Sequence, residues 1–435
     1  MKSVYLVGIA GAGMSGLARY FHHHKYAVYG TDTQLGEKSK VLEKEIRATI
    51  AANHSGDNIP SHCELVIHTP AVDKSNPELQ YAREHNIPVY SYPEYLGIIS
   101  KQYTTIAVAG TNGKTTTTAM IATVLDELGL DPTVIVGGEM PRFGSNFRAG
   151  KGKYFVVEAC EYKESFLHLS PDILVLTNVT PDHLDYFGST EAYYEVFRSL
   201  IDRISKKGTL VANFSDTHLD TLFQRAHARG INIINYAPYT FNDWHLSIPG
   251  SYNVSNAAAA LAGSIQLGLD AGKVQKIIEK DFQAPRRRFE YLGTTTTGAA
   301  IYDDYAHNPE AIELLIEGIR DRYDREKIVM VFQPHLYSRT QDFFDEFAQA
   351  LKEVDTLYLL PIYGAREQSQ DFNVSSEKLA QAIRDTGRDV EVFFCEDIPT
   401  CITRIEEAGY SKENILICTG AGEANKVGNA LAQRE

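Results

Sequence analysis

A strand-length apolar run, a glycine-rich turn and the start of a helix follow one another at three places in this chain. They are "SVYLVGIAGAGMSG" at 3–16, "TTIAVAGTNGKTTTT" at 104–118 and "NILICTGAGEANK" at 414–426. Between them, short apolar runs alternate with segments of helical period, which is the pattern of parallel sheets wrapped by helices. The sequence therefore predicts an α/β fold.

The length of the chain suggests several domains. Its 435 residues correspond to about three domains at roughly 150 residues each. We place the first domain at 1–100, the second at 101–284 and the third at 285–435. The first and third are predicted to be Rossmann-like, and the second is predicted to be an α/β domain with a phosphate-binding loop.

Composition excludes several classes of protein. No apolar run approaches the ~18 residues of a membrane span, and the first residues do not resemble a secretion signal, so we expect a cytoplasmic protein without membrane insertion. The five scattered cysteines contain no C-x-x-C pair, which disfavours a disulfide framework or a zinc site. A net charge of -14 disfavours nucleic-acid binding.

The second glycine turn, at 110–113, is predicted to bind phosphate and is called the phosphate loop below. It is shorter than the usual G-x-x-x-x-G-K-[ST] motif, because Val108 stands where the first glycine is expected. Its small residues still allow inward-pointing N–H groups, Lys114 can reach the outer phosphates and Thr115 can ligate magnesium. The alternative is an ordinary strand-to-helix turn, but glycine, lysine and threonine together favour phosphate.

The first glycine turn has a different pattern. Gly11, Gly13 and Gly16 form G-x-G-x-x-G, and Asp32 ends the next strand about where a ribose-binding acid would lie. The alternatives are a nicotinamide or flavin site, or glycines that only allow close packing of helix on strand. For the third turn, at 418–428, a purely structural role also stays open.

Two residues at the ends of neighbouring predicted strands suit a metal site. Glu158 and His183 follow the strands of "YFVVEA" and "ILVLTNVT", and such strand ends line the ligand crevice of an α/β sheet. A carboxylate and an imidazole there can complete a magnesium shell opposite a triphosphate. Each residue alone would more often be structural.

Arginines and asparagines supply further candidates. Arg287 and Arg288 in "PRRRFE" can contact a transferring phosphoryl group, or they belong to a solvated linker. Asn253 and Asn256 lie one helical turn apart and can present amides to an adenine edge. An N-cap and a buried polar contact explain these two asparagines equally well.

Two helix starts in the third domain are marked by capping patterns. Asn308 followed by Pro309 suits an N-cap with proline at the first helical position. Ser338 with Gln341 fits a capping box.

These motifs, in this order, resemble the muramyl ligase family, and within it the members that add L-alanine to UDP-N-acetylmuramate. The resemblance covers nearly the whole chain, and the short phosphate loop is the family's own form. The matching segments are "GIAGAGMSGLA", "GTNGKTTTT", "EACEY", "TPDHLDYF", "YNVSNAAAA", "RRFEYLG", "DDYAHNP", "FQPHLYSRT" and "TGAGE".

The resemblance implies a role for each candidate residue. The UDP part of the sugar nucleotide would lie over Gly11, Ala12, Gly13, Met14 and Ser15, near Asp32 and Thr69. ATP would lie over Gly110, Thr111, Asn112, Gly113, Lys114, Thr115 and Thr116, with Asn253 and Asn256 at adenine and Asp304 near the ribose. Magnesium would be held by Thr115, Glu158 and His183, and the amino acid by Tyr305, His307, His335 and Arg339 in a third domain that closes over the second.

The implied reaction is that of an ATP-dependent, ADP-forming carboxylate–amine ligase in peptidoglycan precursor synthesis. The γ-phosphoryl group passes to the lactyl carboxylate, and the amine of L-alanine then attacks the acyl phosphate. Lys114, magnesium, His183 and Arg288 would assist the phosphoryl transfer. His307 is a proton acceptor by position, and Arg339 would clamp the alanine carboxylate by two contacts.

Some positions depart from relatives in the family. Leu336 and Asn308 stand where some relatives have arginine and histidine, and Tyr252 stands where a histidine is common. Arg198 falls where other muramyl ligases carry a carbamoylated lysine, so a guanidinium would supply fixed positive charge there.

Three alternative functions follow from the same residues. One is a ligase that recycles a tripeptide onto the same sugar nucleotide, which "FQPHLYSRT" disfavours. The others are a Rossmann oxidoreductase with an added ATPase domain and a non-catalytic nucleotide switch. The oligomeric state is not predicted.

Overall fold

The computed structural model describes residues 2–182, 184–215, 219–323, 325–365 and 367–432. Within them the strands form three sheets of five, seven and six strands, so the predicted α/β class is confirmed. The chain divides into two compact units. Unit 1 is Met1–His245 with Ser255–Gln283, and unit 2 is Leu246–Val254 with Ala284–Glu435.

The first sheet of unit 1 is parallel throughout, in the order β3-β2-β1-β4-β5. This order matches the first five strands of the Rossmann fold, as predicted. Its strands are β1 (Ser3–Val7), β2 (Ala27–Thr31), β3 (Thr49–Ala51), β4 (Leu65–His68) and β5 (Val89–Ser91). Its helices are α1 (Ala12–His23), α2 (Glu37–Ile46), α3 (Pro77–Glu84) and α4 (Tyr92–Ser100).

The second sheet of unit 1 has the order β12-β11-β10-β6-β9-β7-β8, and only the β7–β8 pair is antiparallel. Its strands are β6 (Thr104–Ala109), β7 (Thr133–Met140), β8 (Ser145–Arg148), β9 (Tyr154–Glu158), β10 (Ile173–Leu176), β11 (Thr209–Ala212) and β12 (Asn232–Asn235). The helices are α5 (Lys114–Glu127), α6 (Leu184–Phe187), α7 (Thr190–Ile201), α8 (Asp220–Ala228), α9 (Ser251–Ile265) and α10 (Ala271–Lys280); the first four residues of α9 belong to unit 2.

Strand β6 lies in the middle of this sheet because its sequence suits burial on both faces. Its residues "TTIAVA" are apolar or small and almost all buried, as is usual for the central strand of a parallel sheet. Helix α5 follows it directly and is buried along most of its length. The phosphate loop therefore lies between two well-packed elements.

Unit 2 contains the third sheet, in the order β13-β14-β18-β15-β16-β17. It is parallel except for the β13–β14 pair. Its strands are β13 (Glu290–Thr294), β14 (Ala300–Asp304), β15 (Lys327–Phe332), β16 (Thr356–Leu359), β17 (Glu391–Phe394) and β18 (Asn414–Thr419). The helices are α11 (Pro309–Arg322), α12 (Tyr337–Asp342), α13 (Phe344–Leu351), α14 (Ser376–Asp385), α15 (Ile398–Ala408) and α16 (Asn425–Leu431).

Short 3₁₀ segments occur at Gly56–Asn58, Pro141–Phe143, Tyr162–His168, Ala237–Phe241 and Ser369–Asp371. No described helix is long and apolar enough to cross a bilayer. The three domains are those of the predicted fold class, while their boundaries near 100 and 284 stay predictions.

The two predicted helix caps differ in outcome. The cap at Asn308 is confirmed, because its side chain accepts a hydrogen bond from the Ala311 N–H at 2.8 Å. The capping box at Ser338 and Gln341 is wrong. The Ser338 hydroxyl instead donates to Glu367 at 2.6 Å, so a tertiary partner has replaced the local one.

Candidate active site

The phosphate loop turns through two glycines at which any side chain would be strained. Gly110 and Gly113 have φ angles of 135° and 81°, which side-chain-bearing residues rarely adopt. A Cβ atom at Gly110 would lie 2.1 Å from Thr177 Oγ1, and one at Gly113 would lie 2.1 Å from Asn256 Oδ1. The loop is thus pressed against the segment after β10 and against helix α9.

Side chains from the segment "TNVT" hold the loop in place. Thr177 Oγ1 and Asn178 Nδ2 both donate to the Asn112 carbonyl oxygen, at 2.6 and 3.0 Å. The Asn112 N–H in turn donates to Asn178 Oδ1 at 2.9 Å, and Thr111 Oγ1 donates to the Thr180 carbonyl at 2.7 Å. Sequence reasoning missed these residues, although polar side chains directly after a buried strand could have marked them.

The Lys114 side chain folds back over the loop. Its Nζ donates to the carbonyl oxygens of Gly110 and Thr111 at 2.6 and 2.9 Å, and it pairs with Glu161 Oε2 at 2.9 Å. Both side chains are largely buried, with 13% and 3% exposed. Burial lowers the pKa of the Lys114 ammonium, but nearby acidic groups, chiefly the Glu161 carboxylate, raise it by more. The pKa of Lys114 therefore lies above its ordinary value.

Lys114 is therefore a charged group at neutral pH. Glu161 was missed by sequence reasoning, which took only Glu158 from "EACEY" to the loop. Its position three residues after Glu158 was the available signal.

Thr115 and Glu158 lie together at the start of α5 and the end of β9. Thr115 Oγ1 donates to Glu158 Oε1 at 3.0 Å, and the Gly137 N–H donates to Glu158 Oε2 at 2.6 Å. Hydroxyl and carboxylate oxygens are the ligands that magnesium prefers, with phosphates and waters completing its shell. The pair therefore fits this ion.

The rest of the predicted metal site is less complete. Among the described residues there is no group of three or more histidine, cysteine, aspartate or glutamate side chains placed to hold a metal. His183, the third predicted ligand, lies outside the described residues.

The asparagines of α9 are buried and bonded. Asn253 Nδ2 donates to the Pro249 carbonyl oxygen at 2.6 Å, and the Asn256 amide packs against Gly113 of the phosphate loop. The buried polar contact that the sequence offered as an alternative is therefore present, whereas the N-cap is wrong, because both asparagines lie inside α9, which begins at Ser251. The role of both amides at adenine stays a prediction.

The N-terminal glycine loop, residues 8–13, is held by Asp32. Asp32 Oδ2 accepts a hydrogen bond from the Ala10 N–H at 3.0 Å, and Oδ1 accepts one from the Gln34 N–H at 3.0 Å. Gly8 has a φ of 79°, and a Cβ atom there would lie 2.5 Å from Thr69 Cγ2. Asp32 and Thr69 thus both contact the loop backbone, while their place beside a sugar nucleotide stays a prediction.

Side chains from other segments cover the residues where this loop joins α1. A Cβ atom at Gly13 would lie 2.5 Å from the Tyr92 ring, and Asn146 Nδ2 donates to the Ala12 carbonyl oxygen at 2.5 Å. Met14 belongs to the hydrophobic core, and Ser15 Oγ donates a hydrogen bond to the Ala12 carbonyl oxygen at 2.9 Å. Any ligand contact from these residues would therefore come from backbone N–H groups.

In unit 2, the four predicted amino-acid-binding residues lie together. The His307 ring centroid is 5.2 Å from that of Tyr305 and 6.3 Å from that of His335. Arg339 Nη1 lies 3.4 Å from His335 Nδ1. The His335 ring also stacks on Tyr363 at 5.8 Å, a residue that sequence reasoning missed.

The two arginines before β13 lie over the same tyrosine. The guanidinium carbons of Arg287 and Arg288 are 4.9 and 5.3 Å from the Tyr305 ring centroid. Arg287 Nε also lies 3.3 Å from Asp303 Oδ2. Burial raises the pKa of Asp303 to about 7, although Arg287 opposes this.

Asp304, predicted near the ribose, is bonded within unit 2. Its carboxylate accepts hydrogen bonds from the Phe289 and Ala306 N–H groups, both at 2.8 Å. Burial raises the pKa of this carboxyl group.

Arg198 donates to Glu195 at 2.6 Å and to Thr221 at 3.3 Å. Its role as a substitute for a carbamoylated lysine stays a prediction.

Comparison with known proteins defines the class of this chain. Three family models match it in succession: "Mur ligase family, catalytic domain" at 3–104, "Mur ligase middle domain" at 108–245 and "Mur ligase, glutamate ligase domain" at 287–422. The chain belongs to the Mur ligase family. The predicted resemblance and the predicted class, an ATP-dependent carboxylate–amine ligase, are confirmed.

Individual relatives narrow the comparison. The chain is 35% identical to the UDP-N-acetylmuramate–L-alanine ligase of Caldanaerobacter subterraneus, over 99% of this chain and 97% of the relative. It is also 35% identical to the enzyme of the same name from Aquifex aeolicus, over 98% and 96%.

Comparison with solved structures shows the same similarity in the fold. The UDP-N-acetylmuramate-alanine ligase of Thermotoga maritima superposes with a TM-score of 0.81 at 28% identity, covering 99% of this chain and 98% of that one. A murein peptide ligase from Psychrobacter arcticus has a TM-score of 0.69 at 21% identity, over 99% and 98%. At that identity the second structure shows the shared fold alone.

Proposed function

We propose that this protein joins L-alanine to the lactyl carboxylate of UDP-N-acetylmuramate, using ATP and passing through an acyl phosphate. The observation that carries the proposal is the charged Lys114 on the phosphate loop, beside the oxygen pair of Thr115 and Glu158. The chain that holds this site matches L-alanine-adding relatives over its whole length.

The phosphate loop is the proposed ATP site. The N-terminus of α5 adds partial positive charge beside the loop, and Lys114 provides a full charge for the terminal phosphates. Arg288 is the second cation that we assign to the moving phosphoryl group.

Thr115, Glu158 and His183 are the residues that would hold magnesium. A magnesium ion bound there would neutralise charge on the phosphate oxygens. Thr115 Oγ1 and Glu158 Oε1 already lie 3.0 Å apart. Magnesium binding would therefore not require a movement that brings these two ligands closer to each other.

The sugar nucleotide is assigned to the N-terminal glycine loop. Its pyrophosphate would lie over residues 11–15 and accept hydrogen bonds from the backbone N–H groups of residues 12–14 at the start of α1, where the helix dipole favours negative charge. Asp32 and Thr69 keep this turn in shape, and the UDP group would therefore bind without a lysine.

The amino acid is assigned to the cluster in unit 2. His307 Nδ1 lies 2.9 Å from the Tyr305 carbonyl oxygen, a contact that favours the neutral tautomer with its proton on Nδ1, in which Nε2 is the basic nitrogen. The Arg339 guanidinium can bind the alanine carboxylate through two parallel contacts.

The reaction then has two steps. A carboxylate oxygen attacks the γ-phosphorus, the bond to the β-phosphate bridging oxygen breaks, and ADP leaves. The alanine nitrogen attacks the acyl carbon, loses a proton to His307, and inorganic phosphate leaves. Lys114 and Arg288 stabilise the charge that develops in the first step.

Phosphate release from ATP, measured with UDP-N-acetylmuramate and each of the twenty amino acids in turn, tests the proposal. We expect rapid release with L-alanine. A clear preference for the tripeptide over L-alanine in a competition assay would instead establish a recycling ligase. Hydride transfer without ATP would establish an oxidoreductase.

A further inference from the structure

We propose that Lys163 binds the carboxylate of the acid substrate and so orients it for phosphoryl transfer. This inference rests on the proposed function, because it names the group that holds the acid. It is drawn from the segment that follows β9, which the motifs of the sequence did not explain.

The backbone of this segment is unusual. Lys163 and Glu164 have φ angles of 52° and 57° inside the 3₁₀ segment Tyr162–His168. Side-chain-bearing residues rarely adopt left-handed conformations, and two in succession persist only where surrounding contacts enforce them. Such strain is concentrated at functional sites.

Lys163 lies between the two predicted ligand loops. It is two residues beyond Glu161, whose carboxylate pairs with Lys114 of the phosphate loop. Its Nζ donates to the Pro70 carbonyl oxygen at 3.1 Å. Pro70 directly follows Thr69, whose methyl group packs on Gly8 of the N-terminal glycine loop.

The segment that Lys163 contacts and the segment that contains it both lie at the ligand-binding edges of their sheets. Thr69 and Pro70 follow the carboxyl end of β4, and the segment from 159 onward follows the carboxyl end of β9. Ligands of open α/β sheets bind outside these ends. The ammonium group therefore lies where a substrate anchored at one loop would approach a triphosphate anchored at the other.

The charge of Lys163 is available to an anion. The side chain is exposed, and its recorded partners within the described residues are the Pro70 carbonyl oxygen and the Tyr162 ring, at 5.8 Å from the centroid. No carboxylate of the described part of the chain forms an ion pair with it. A carboxylate would be a stronger acceptor for this ammonium than a neutral carbonyl oxygen.

The proposed reaction needs a cation at this place. The acid must bring a carboxylate oxygen close to the γ-phosphorus, against the repulsion between two anions. An ammonium that binds one carboxylate oxygen lowers this repulsion and leaves the other oxygen free to attack. Lys163 forms and breaks no covalent bond in this role.

Two sugar nucleotides separate binding of the lactyl group, which carries the carboxylate, from contacts to the rest of the ligand. UDP-N-acetylglucosamine matches UDP-N-acetylmuramate except that it lacks the lactyl group with its carboxylate. With the full chain, Lys163→Met should weaken binding of UDP-N-acetylmuramate by about tenfold, the usual loss for one charge-assisted hydrogen bond. Binding of UDP-N-acetylglucosamine, measured by the same calorimetry, should not change.

Matched variants complete the experiment. Lys163→Arg keeps a cation and should retain most of the preference for UDP-N-acetylmuramate. Lys153→Met is the control, because Lys153 also lies over a tyrosine ring, at 5.2 Å, but precedes β9 at the opposite edge of the sheet. It should bind both sugar nucleotides as the wild type does.

An equal loss for both sugar nucleotides in Lys163→Met would reduce Lys163 to a structural contact with Pro70 and overturn the inference. Unchanged binding of both would overturn it as well. If the wild type forms no amide from L-alanine, the proposed function fails, whereas the difference between the two sugar nucleotides still reports on Lys163.

Discussion

The two glycine loops of unit 1 have the same local plan and different surroundings. Each follows a parallel strand and begins a helix, α1 after β1 and α5 after β6. The phosphate loop is followed directly by a largely buried cation, Lys114, which is paired with Glu161. The N-terminal loop has instead an aspartate, Asp32, bonded to its own backbone. The glycine pattern sets the turn, and residues from other segments set its chemistry.

This difference suits two different phosphate ligands. A triphosphate that transfers its terminal group needs positive charge where negative charge develops. A pyrophosphate that is only held needs backbone N–H groups at a helix N-terminus. The following changes test this division, from the largest expected effect to the smallest.

Lys114→Ala should separate the loops most clearly. Removal of the cation should lower the rate of amide formation by about 10³-fold, whereas the dissociation constant for UDP-N-acetylmuramate should stay the same. Phosphate release and calorimetry measure the two quantities. An equal loss of both would show that the two ligands have been assigned to the wrong loops.

Gly113→Ala should damage the phosphate loop through its shape. The φ of 81° and the approach of 2.1 Å to Asn256 Oδ1 should cost about 1–3 kcal/mol of unfolding free energy and raise the KM for ATP. Gly11→Ala is the control, because Gly11 has a φ of -58° and its Cβ would lie 3.3 Å from Gly8 O. Urea unfolding should show a smaller loss for this control, and equal losses would argue against the strained turn.

Glu158→Gln should change the response to magnesium alone. The substitution replaces the carboxylate by an amide, which is a poorer magnesium ligand. Half-saturation of the ligase with magnesium should therefore need an about tenfold higher concentration. A magnesium titration of the ligase rate measures this. Binding of UDP-N-acetylmuramate should be unaffected, and a wild-type magnesium response would leave Glu158 a structural residue.

Asp32→Asn should have the smallest effect. The amide can still accept from the Ala10 N–H but more weakly than the carboxylate, so affinity for UDP-N-acetylmuramate should fall by about twofold to fivefold. The KM for ATP should not change. A larger effect on ATP than on the sugar nucleotide would contradict the division of the loops.

The parts of this site that could be predicted from the sequence are those formed by neighbouring residues. Gly113, Lys114 and Thr115 are consecutive, so their place at the start of helix α5, shortly after strand β6, followed from the local pattern alone. The meeting of Thr115 with Glu158 also followed, because the carboxyl ends of parallel strands lie at one edge of a sheet.

The parts that could not be predicted come from distant segments. Asn178 and Glu161 reach the phosphate loop only through tertiary packing, and Tyr363 reaches His335 in the same way. The capping box at Ser338 failed because Glu367, 29 residues away, is its actual partner. Local patterns record propensity, and such tertiary contacts override it.

The most direct test of the account is a crystal structure of the protein with a non-hydrolysable ATP analogue and magnesium. We expect the triphosphate over residues 110–116, with the Lys114 ammonium against its terminal phosphate and Thr115 and Glu158 at the metal. An analogue bound at the N-terminal glycine loop, with the phosphate loop vacant, would contradict the division of the two loops on which the proposed function rests.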